Sequence, residues 1–351
     1  MLSILWRSMR WRVRLALLFS APLFAGAFVI WRASHAKEEA VREVHANSEL
    51  PFRVLPVDRP LLPAVDSIQA APEFRDIAVY KETIAVTARA GLFLYDRNGA
   101  LLRSYRSGME LPPAELAGMS VGIGAGSAAP ELFIATRGAG LLAFDGTRFR
   151  QILPHDASSR NVTAVLVLAS GRVLLGTERH GVLAFDGQRL VALNARLKDL
   201  HITALAGSES DLWIGTLDAG VFHSHAGQLE QFQAELPDPQ VLSLAAGDGP
   251  AYVGTPLGVV EFQGGRPVRT VARGFLALAV SPCGDGLLVG TEDEGILNLT
   301  LQSRPVAHVR PAENGPSGPI HRLATLEGTP YAVGPTPSTA SNPRPGAGAP
   351  C

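Results

Sequence analysis

The chain has 351 residues, of which 46% are hydrophobic and 18% charged, and a formal net charge of −1. This charge excludes a bulk attraction to nucleic acid, so no nucleic-acid partner is expected. The two cysteines, Cys283 and Cys351, are too few for a disulfide framework or a thiolate zinc site.

The N-terminal 50 residues predict a membrane anchor. An uncharged run from Leu15 to Trp31 is at the short end for a spanning helix and slightly long for a signal-peptide core. The arginines before it are Arg7, Arg10, Arg12 and Arg14. They predict a cytoplasmic segment (1–14), a membrane helix (15–31) and a polar stalk (32–50). The alternative is a signal cleaved near Ser34–Ala36, which releases a secreted chain. Both interpretations place the rest of the chain outside the cytoplasm, at the inner membrane of a bacterium or in its periplasm.

An internal repeat of about 40 residues predicts the fold. Six segments end in a short apolar strand, a threonine and then a glycine. The threonines are Thr87, Thr136, Thr177, Thr216, Thr255 and Thr291, and the glycines are Gly91, Gly140, Gly181, Gly220, Gly258 and Gly295. The threonines are 49, 41, 39, 39 and 36 residues apart. This spacing of short strands is typical of an all-β propeller with four-stranded blades.

The fourth repeat illustrates the four predicted strands, which are Ile202–Leu205, Leu212–Thr216, Gly220–Ser224 and Gln228–Phe232. Asp145-Gly146, Asp186-Gly187 and Gly264-Gly265 predict two-residue hairpins with two positive φ angles. For the repeated glycines and threonines we favour a structural role over a catalytic one. The glycine supplies a turn conformation, and both small residues let neighbouring blades approach closely.

The C-terminal repeat is incomplete. Ile320–Leu326 and Tyr331–Gly334 resemble the first two strands of a seventh blade, and six blades are the alternative. We expect the propeller to span residues 51–334, followed by a disordered Pro/Gly-rich tail at 335–351. Phe52–Leu55 is a candidate for an outer strand of the last blade. The other explanation for the missing strands is a truncation or a change of reading frame.

These repeats resemble the two-component regulator propeller family. The residues that carry the resemblance are Leu132–Thr136 with Gly140–Gly146, Leu174–Thr177 with Gly181–Gly187, and Leu212–Thr216 with Gly220. The resemblance covers roughly residues 75–334 and implies an extracytoplasmic sensor of a membrane histidine kinase, often for carbohydrate-derived ligands. The chain shows no second hydrophobic span, kinase core or DNA-binding module, which argues against a direct signalling role.

Catalytic motifs are absent from the sequence: it has no nucleophile elbow, zincin helix or phosphate-binding loop. His223 and His225 point to one face of a predicted strand, but no third ligand is evident, so we interpret them as two solvated histidines. No metal or cofactor is expected. A lactonase- or lyase-like enzyme is disfavoured because the predicted inner strands, such as Ile202–Leu205, are apolar or small.

The loops after the threonines are the candidate binding surface. They and the connections between blades emerge around one mouth of the central channel, where concave surfaces favour ligands. Their charged residues are Arg89, Arg137, Glu178, Arg179, His180, Asp218, Glu292, Asp293 and Glu294, and the connections add His155, Asp156 and Arg160. Early repeats offer cations and the sixth offers anions, which predicts opposite charge on opposite sides of the channel.

The sequence therefore predicts a non-catalytic propeller that binds a protein or a polar ligand, including a carbohydrate, outside the cytoplasm. The alternatives are a sensory subunit that works with a separate histidine kinase, and the disfavoured propeller enzyme. The expected partners are the membrane, through the N-terminal helix, and an unidentified protein or ligand.

Overall fold

A computed structural model of the chain describes residues 31–32, 35, 74–89, 91–124, 126–284, 286–301, 310–311, 319–326 and 329–333. The chain divides into two compact units, Met1–Ile68 and Gln69–Cys351. In the first unit the described residues are Trp31, Arg32 and His35. The predicted cytoplasmic segment and nearly all of the predicted membrane helix and stalk therefore lie outside the described ranges. Within those ranges, no helix combines the length and the apolar character needed to cross a membrane.

The second unit is a β-propeller with six four-stranded antiparallel sheets, here called blades, in which the strands lie side by side in chain order. Blades one to three contain β1 (Phe74–Tyr80), β2 (Thr83–Ala88), β3 (Gly91–Tyr95), β4 (Leu101–Arg106), β5 (Glu115–Gly122), β6 (Glu131–Arg137), β7 (Gly140–Phe144), β8 (Phe149–Ile152), β9 (Val162–Val167), β10 (Val173–Thr177), β11 (Val182–Phe185) and β12 (Leu190–Ala192). Short 3-10 turns at Ala157–Ser159 and Ala195–Leu197 follow the second and third blades.

Blades four to six repeat this arrangement. Their strands are β13 (Ile202–Gly207), β14 (Asp211–Thr216), β15 (Val221–His225), β16 (Gln228–Phe232), β17 (Ser243–Ala245), β18 (Ala251–Thr255), β19 (Gly258–Gln263), β20 (Arg266–Val271), β21 (Ala277–Cys283), β22 (Gly286–Thr291), β23 (Ile296–Thr300) and β24 (Arg310–Pro311). The four strands predicted for the fourth repeat are confirmed, with boundaries that differ by at most two residues.

A two-stranded sheet of β25 (Arg322–Leu326) and β26 (Thr329–Val333) occupies the seventh position among the described residues. Leu323 packs with Ala279 of the sixth blade, and Tyr331 packs against Ile77 of the first. The all-β propeller is thus confirmed, with six four-stranded blades and two strands of a seventh among the described residues. Phe52–Leu55, the candidate outer strand, and the tail 335–351 lie outside the described residues.

Apolar side chains between neighbouring blades form the core. Trp213 of the fourth blade packs edge-on against Phe262 of the fifth, with ring centroids 4.9 Å apart. In the third to sixth blades a glycine precedes the repeat threonine and allows such close approach. A Cβ on Gly215 would lie 2.6 Å from Cγ1 of Val241 in the next blade, nearer than real Cβ contacts allow. Small residues at this point of the second strand therefore set the spacing between blades.

The Asp-Gly hairpins differ from their prediction. In the second blade Gly146 has a φ of +106°, but Asp145 stays in the ordinary negative region. The Asp145 N–H donates to the carbonyl of Arg148, so Gly146 and Thr147 are the two central residues, one position later than predicted. The Asp145 carboxylate instead accepts backbone N–H groups within the turn. By contrast, Gly264 and Gly265 both have positive φ, as predicted.

Candidate functional site

Five of the six repeat threonines brace the loop between the second and third strands, here called the Thr–Gly loop. The exception is Thr87, whose buried hydroxyl has no hydrogen-bond partner among the described residues. In the fourth blade Thr216 Oγ1 donates to the carbonyl of Gly220 at 2.6 Å and accepts the N–H of Ala219 at 3.0 Å. The same hydroxyl-to-carbonyl bond occurs at Thr136, Thr177, Thr255 and Thr291. The threonine is buried and its hydrogen-bonding capacity is used within the loop, so its role is structural.

The Thr–Gly loops and the connections between blades lie together at one end of the strands. The N–H of Glu178 donates to the carbonyl of Asn161, and the N–H of Leu217 donates to that of His201. Each of these bonds joins a Thr–Gly loop to the connection that leads into the same blade. Together the loops and connections form one end of the propeller, here called the rim.

Three arginines converge on one carboxylate at this rim. Glu115 begins β5 and lies across from Arg137, the last residue of β6. Its oxygens lie 3.5 Å from Arg137 Nη1, 3.6 Å from Arg89 Nε and 3.5 Å from Arg75 Nη2. We call Arg75, Arg89 and Arg137 around Glu115 the arginine cluster. The structure thus brings together two residues predicted from the sequence and adds Arg75 and Glu115.

The geometry of the arginine cluster suits an oxyanion. The Arg137 side chain is 48% exposed and contacts Glu115 through one terminal nitrogen, whereas the Glu115 side chain is only 22% exposed. The carboxylate therefore fixes the guanidinium from the protein side while part of its surface faces solvent. A planar guanidinium held in this way presents N–H donors in the fork arrangement that carboxylates and phosphates bind.

The other predicted rim residues are not part of this cluster. Glu178 is half-buried, and its Oε2 accepts a hydrogen bond from the Asn161 side chain at 3.0 Å. The remaining ones are exposed: Arg179, His180, Asp218, Glu292, Asp293 and Glu294. The acidic loop at 292–294 belongs to the sixth blade, which the seventh sheet alone separates from the first. Round the seven positions, the acidic loop is thus two places from Arg89 in the first blade and three places, the largest separation, from Arg137 and Arg179 in the second and third.

The connection before the third blade is ordered by its own hydrogen bonds. The Ser158 hydroxyl and N–H donate to Asp156 Oδ1 at 2.5 and 2.8 Å. These bonds hold the pKa of Asp156 below its usual value, and the nearby His180 adds a smaller effect in the same direction. Asp156 therefore stays ionised near neutral pH and caps a 3-10 turn, which fixes the rim beside the Thr–Gly loop of the third blade.

A cavity of about 760 Å³ lies in the propeller. Gly207, Asp248 and Gly284 contribute to its lining, and they come from turns that join first and second strands. Those turns lie at the opposite end of the strands from the Thr–Gly loops. Arg322 also lines the cavity. The concave space is therefore not formed by the rim residues singled out from the sequence.

The interpretation of the paired histidines as solvated is wrong for His223. This side chain is buried on β15 and its Nε2 lies 2.5 Å from Oδ1 of Asp211 on β14. His225, exposed at the end of β15, places Nδ1 3.8 Å from the same oxygen. Asp211 joins the two histidines as a third polar side chain. Sequence reasoning missed it, because only the register of β14 against β15 puts it opposite His225.

Comparison with known proteins identifies the fold. No family model matches the sequence, and the curated proteins include no match. Solved propellers match in structure over 75% of the chain. Virginiamycin B lyase from Staphylococcus aureus has a TM-score of 0.61 at 12% identity, with 92% of that chain covered. The extracellular domain of a protein assigned to the hybrid two-component systems of B. thetaiotaomicron has a TM-score of 0.60 at 16% identity.

A designed protein, Ika8, is also similar, with a TM-score of 0.54, 14% identity and 81% of that chain covered. The match to the two-component protein covers only 37% of its extracellular domain. The chain is thus similar in fold to a lyase, an extracellular domain of a two-component protein and a designed protein. These similarities establish the β-propeller architecture and nothing finer.

Proposed function

We propose that the chain is a non-catalytic binding propeller of the two-component regulator type, which acts outside the cytoplasm. The observation that carries this proposal is the arginine cluster, where Glu115 holds Arg137 half-exposed at the rim beside Arg89. The ligand that fits this arrangement carries a carboxylate or another oxyanion. A uronic acid-containing oligosaccharide combines that charge with the polar character expected of ligands for this kind of propeller.

The test uses oligogalacturonate as the probe and isothermal titration calorimetry as the measurement. Changing Arg89 and Arg137 to glutamine together removes two cations of the arginine cluster. We expect affinity to fall at least about tenfold, because each charge-assisted hydrogen bond contributes about 1.5–3 kcal/mol. The matched control is Arg172→Gln, an exposed arginine in a turn between first and second strands, at the other end of the blade. Equal binding by the double variant and the control contradicts the proposal.

The enzyme alternative has a specific comparison in its favour, namely the fold similarity to virginiamycin B lyase. The first strands argue against it. They bury apolar or small residues such as Ile202, Leu244 and Ala279, whereas a metal-dependent propeller enzyme needs several ligating side chains there. Incubation of the chain with virginiamycin B, followed by mass spectrometry, tests the alternative, and we expect the compound to remain unchanged.

A sensory subunit that works with a separate histidine kinase is the second candidate. It is favoured by the similarity to the extracellular domain of a two-component protein. It also fits the arginine-flanked run Leu15–Trp31, which we propose holds the propeller outside the inner membrane. Crosslinking in intact membranes followed by affinity capture tests this role: a co-purified histidine kinase supports it, and its absence favours a stand-alone binder.

The location itself is open to a direct test. Protease added to spheroplasts should degrade the propeller while cytoplasmic proteins survive. If the N-terminal run stays uncleaved, the chain will sediment with membranes, whereas signal cleavage will release it into the soluble periplasmic fraction. Full protection from the protease contradicts an extracytoplasmic location.

A further inference from the structure

We propose that Asp211, His223 and His225 form a binding site for a divalent transition metal of the Zn²⁺ class, separate from the arginine cluster. The three side chains project from β14 and β15 in the fourth blade. Asp211 begins β14 and His225 ends β15, so the group lies at the end of the blade away from the Thr–Gly loops. We call it the Asp–His cluster.

The distances suit one ion. A ligand atom from each side chain lies within 4.8 Å of the other two. Oδ1 of Asp211 is 2.5 Å from Nε2 of His223 and 3.8 Å from Nδ1 of His225. Tetrahedral coordination with bonds of about 2.0–2.1 Å separates ligand atoms by about 3.3 Å. Shifts of about 1 Å in Asp211 and His225, both of which are partly exposed, produce that spacing.

The register of the hairpin explains why the three residues meet. His223 and His225 are two apart on β15, so both project from the same face. Asp211 is the direct cross-strand partner of His225, and Trp213 is the partner of His223. Ala226 and Gly227, both with positive φ, form the turn that joins β15 to β16 directly after His225.

His223 is held in position before any ion binds. Its ring stacks on Trp213 with centroids 4.0 Å apart and an interplanar angle of 13°. On another side lies Gly265 of the fifth blade, where a Cβ would come within 2.9 Å of His223 Cε1. These neighbours fix the ring with Nε2 toward Asp211. A pre-positioned ligand loses less side-chain entropy on binding, which strengthens a site with only three protein donors.

The donor set selects the class of ion. Two imidazole nitrogens and one carboxylate oxygen are common ligands of Zn²⁺ and suit Co²⁺ and Ni²⁺, whereas Mg²⁺ and Ca²⁺ prefer oxygen alone. His225 is 64% exposed and Asp211 37%. The fourth position therefore faces solvent and is open to water or to a ligand from another molecule.

The direct alternative is that Asp211 only accepts a hydrogen bond from His223. That alternative explains the position of His223 but leaves His225 without a role. Substituting His225 distinguishes the two, because it removes a metal ligand and leaves the Asp211–His223 contact in place. Because His225 is exposed, its substitution should not disturb folding, and circular dichroism of the variant checks this.

The experiment titrates the EDTA-treated, dialysed full chain with Co²⁺ and records visible d–d absorption. We expect one Co²⁺ per chain with the intense bands of four-coordination, displaced by Zn²⁺. His225→Gln should lower the affinity at least about tenfold, since even residues behind the ligands contribute that much. The matched control is His155→Gln, an exposed histidine in a connection between blades, which should bind like the wild type.

Thermal unfolding gives a second measurement. Zn²⁺ should raise the midpoint of the wild type and of His155→Gln, because it binds the folded state, and should leave that of His225→Gln unchanged. Asp211→Asn should lose the same Zn²⁺-dependent increase. Equal Co²⁺ binding by wild type and His225→Gln, or a wild type that binds no Co²⁺, overturns the proposal.

Discussion

The Nε of Arg322 lies 2.8 Å from Oδ1 of Asp76, and this ion pair joins the seventh sheet to the first blade. Asp76 is buried, and its other oxygen accepts the N–H of Met119 in the second blade at 2.7 Å. One carboxylate therefore links three successive positions of the ring.

Removing the Arg322 side of this pair should weaken the propeller. In Arg322→Met the buried carboxylate of Asp76 keeps its amide donors but loses its ion pair with Arg322. We expect the free energy of unfolding to fall by about 1–3 kcal/mol, less than for a fully buried pair because Arg322 is partly exposed. Urea denaturation measures it. Arg266→Met, which breaks the exposed pair with Glu230, is the control and should cost less than about 1 kcal/mol. Equal losses contradict a special role for Arg322.

The free energy of unfolding should fall when Thr216 loses only its hydroxyl. Thr216→Val keeps the side-chain shape but removes the bonds to Gly220 and Ala219 inside a buried loop. Unsatisfied backbone groups should lower the free energy of unfolding by about 1–3 kcal/mol, measured by chemical denaturation. Thr300→Val, at an exposed strand residue, should be nearly neutral. A neutral Thr216→Val would mean that water replaces the hydroxyl.

Substituting Gly181 and Gly227 with alanine distinguishes the cost of backbone strain from the cost of a steric clash. Both have positive φ, +65° and +77°. A Cβ on Gly181 would lie 1.9 Å from the carbonyl oxygen of Leu197, while one on Gly227 meets nothing within 4 Å. Gly227→Ala should therefore cost about 1–2 kcal/mol from backbone strain alone. Gly181→Ala should cost clearly more, as read from thermal midpoints. Similar midpoints for the two variants would show that the loop of the third blade shifts freely.

Asp145 should make stability depend on acid pH. The N–H of Arg148, followed by the hydroxyl and N–H of Thr147, lowers the pKa of Asp145 to about 2. Since the folded pKa lies below the unfolded value near 3.8, the stabilising effect is present above that value and disappears as pH falls toward about 2. Asp145→Asn should thus be less stable than wild type at about pH 6, with the difference shrinking below about pH 4.

Denaturation curves at several pH values provide the measurement for Asp145. Glu235→Gln, which removes an exposed carboxylate outside the hairpins, is the control for the loss of one negative charge. A difference between wild type and Asp145→Asn that stays constant with pH would mean that the carboxylate charge does not strengthen the turn.

The repeat made the fold predictable because each blade satisfies the same local requirements. The strands of the fourth repeat follow from apolar runs between turn residues, and the Thr–Gly loop follows from a threonine and a glycine at fixed spacing. The Asp-Gly turns were misplaced by one residue because an Asp side chain also caps a turn that it precedes, as Asp145 does. Composition alone does not distinguish these two uses of aspartate.

The sites were less accessible to sequence reasoning. Arg89 and Arg137 occupy loop positions that the repeat marks, so their place on the rim was predictable. Glu115 begins a first strand, where no repeated residue draws attention, and its contacts depend on how two blades pack. Asp211 required the register of a hairpin. Such contacts arise from packing between strands rather than from any local pattern.

The closure between β1 and β25 has a kinetic consequence. It joins the segments of the propeller that are farthest apart along the chain, so its loop-closure entropy is the largest in the ring. We expect this seam to form late in folding and to separate early in unfolding. Substitutions at Arg322 should then accelerate unfolding while leaving the folding rate nearly unchanged.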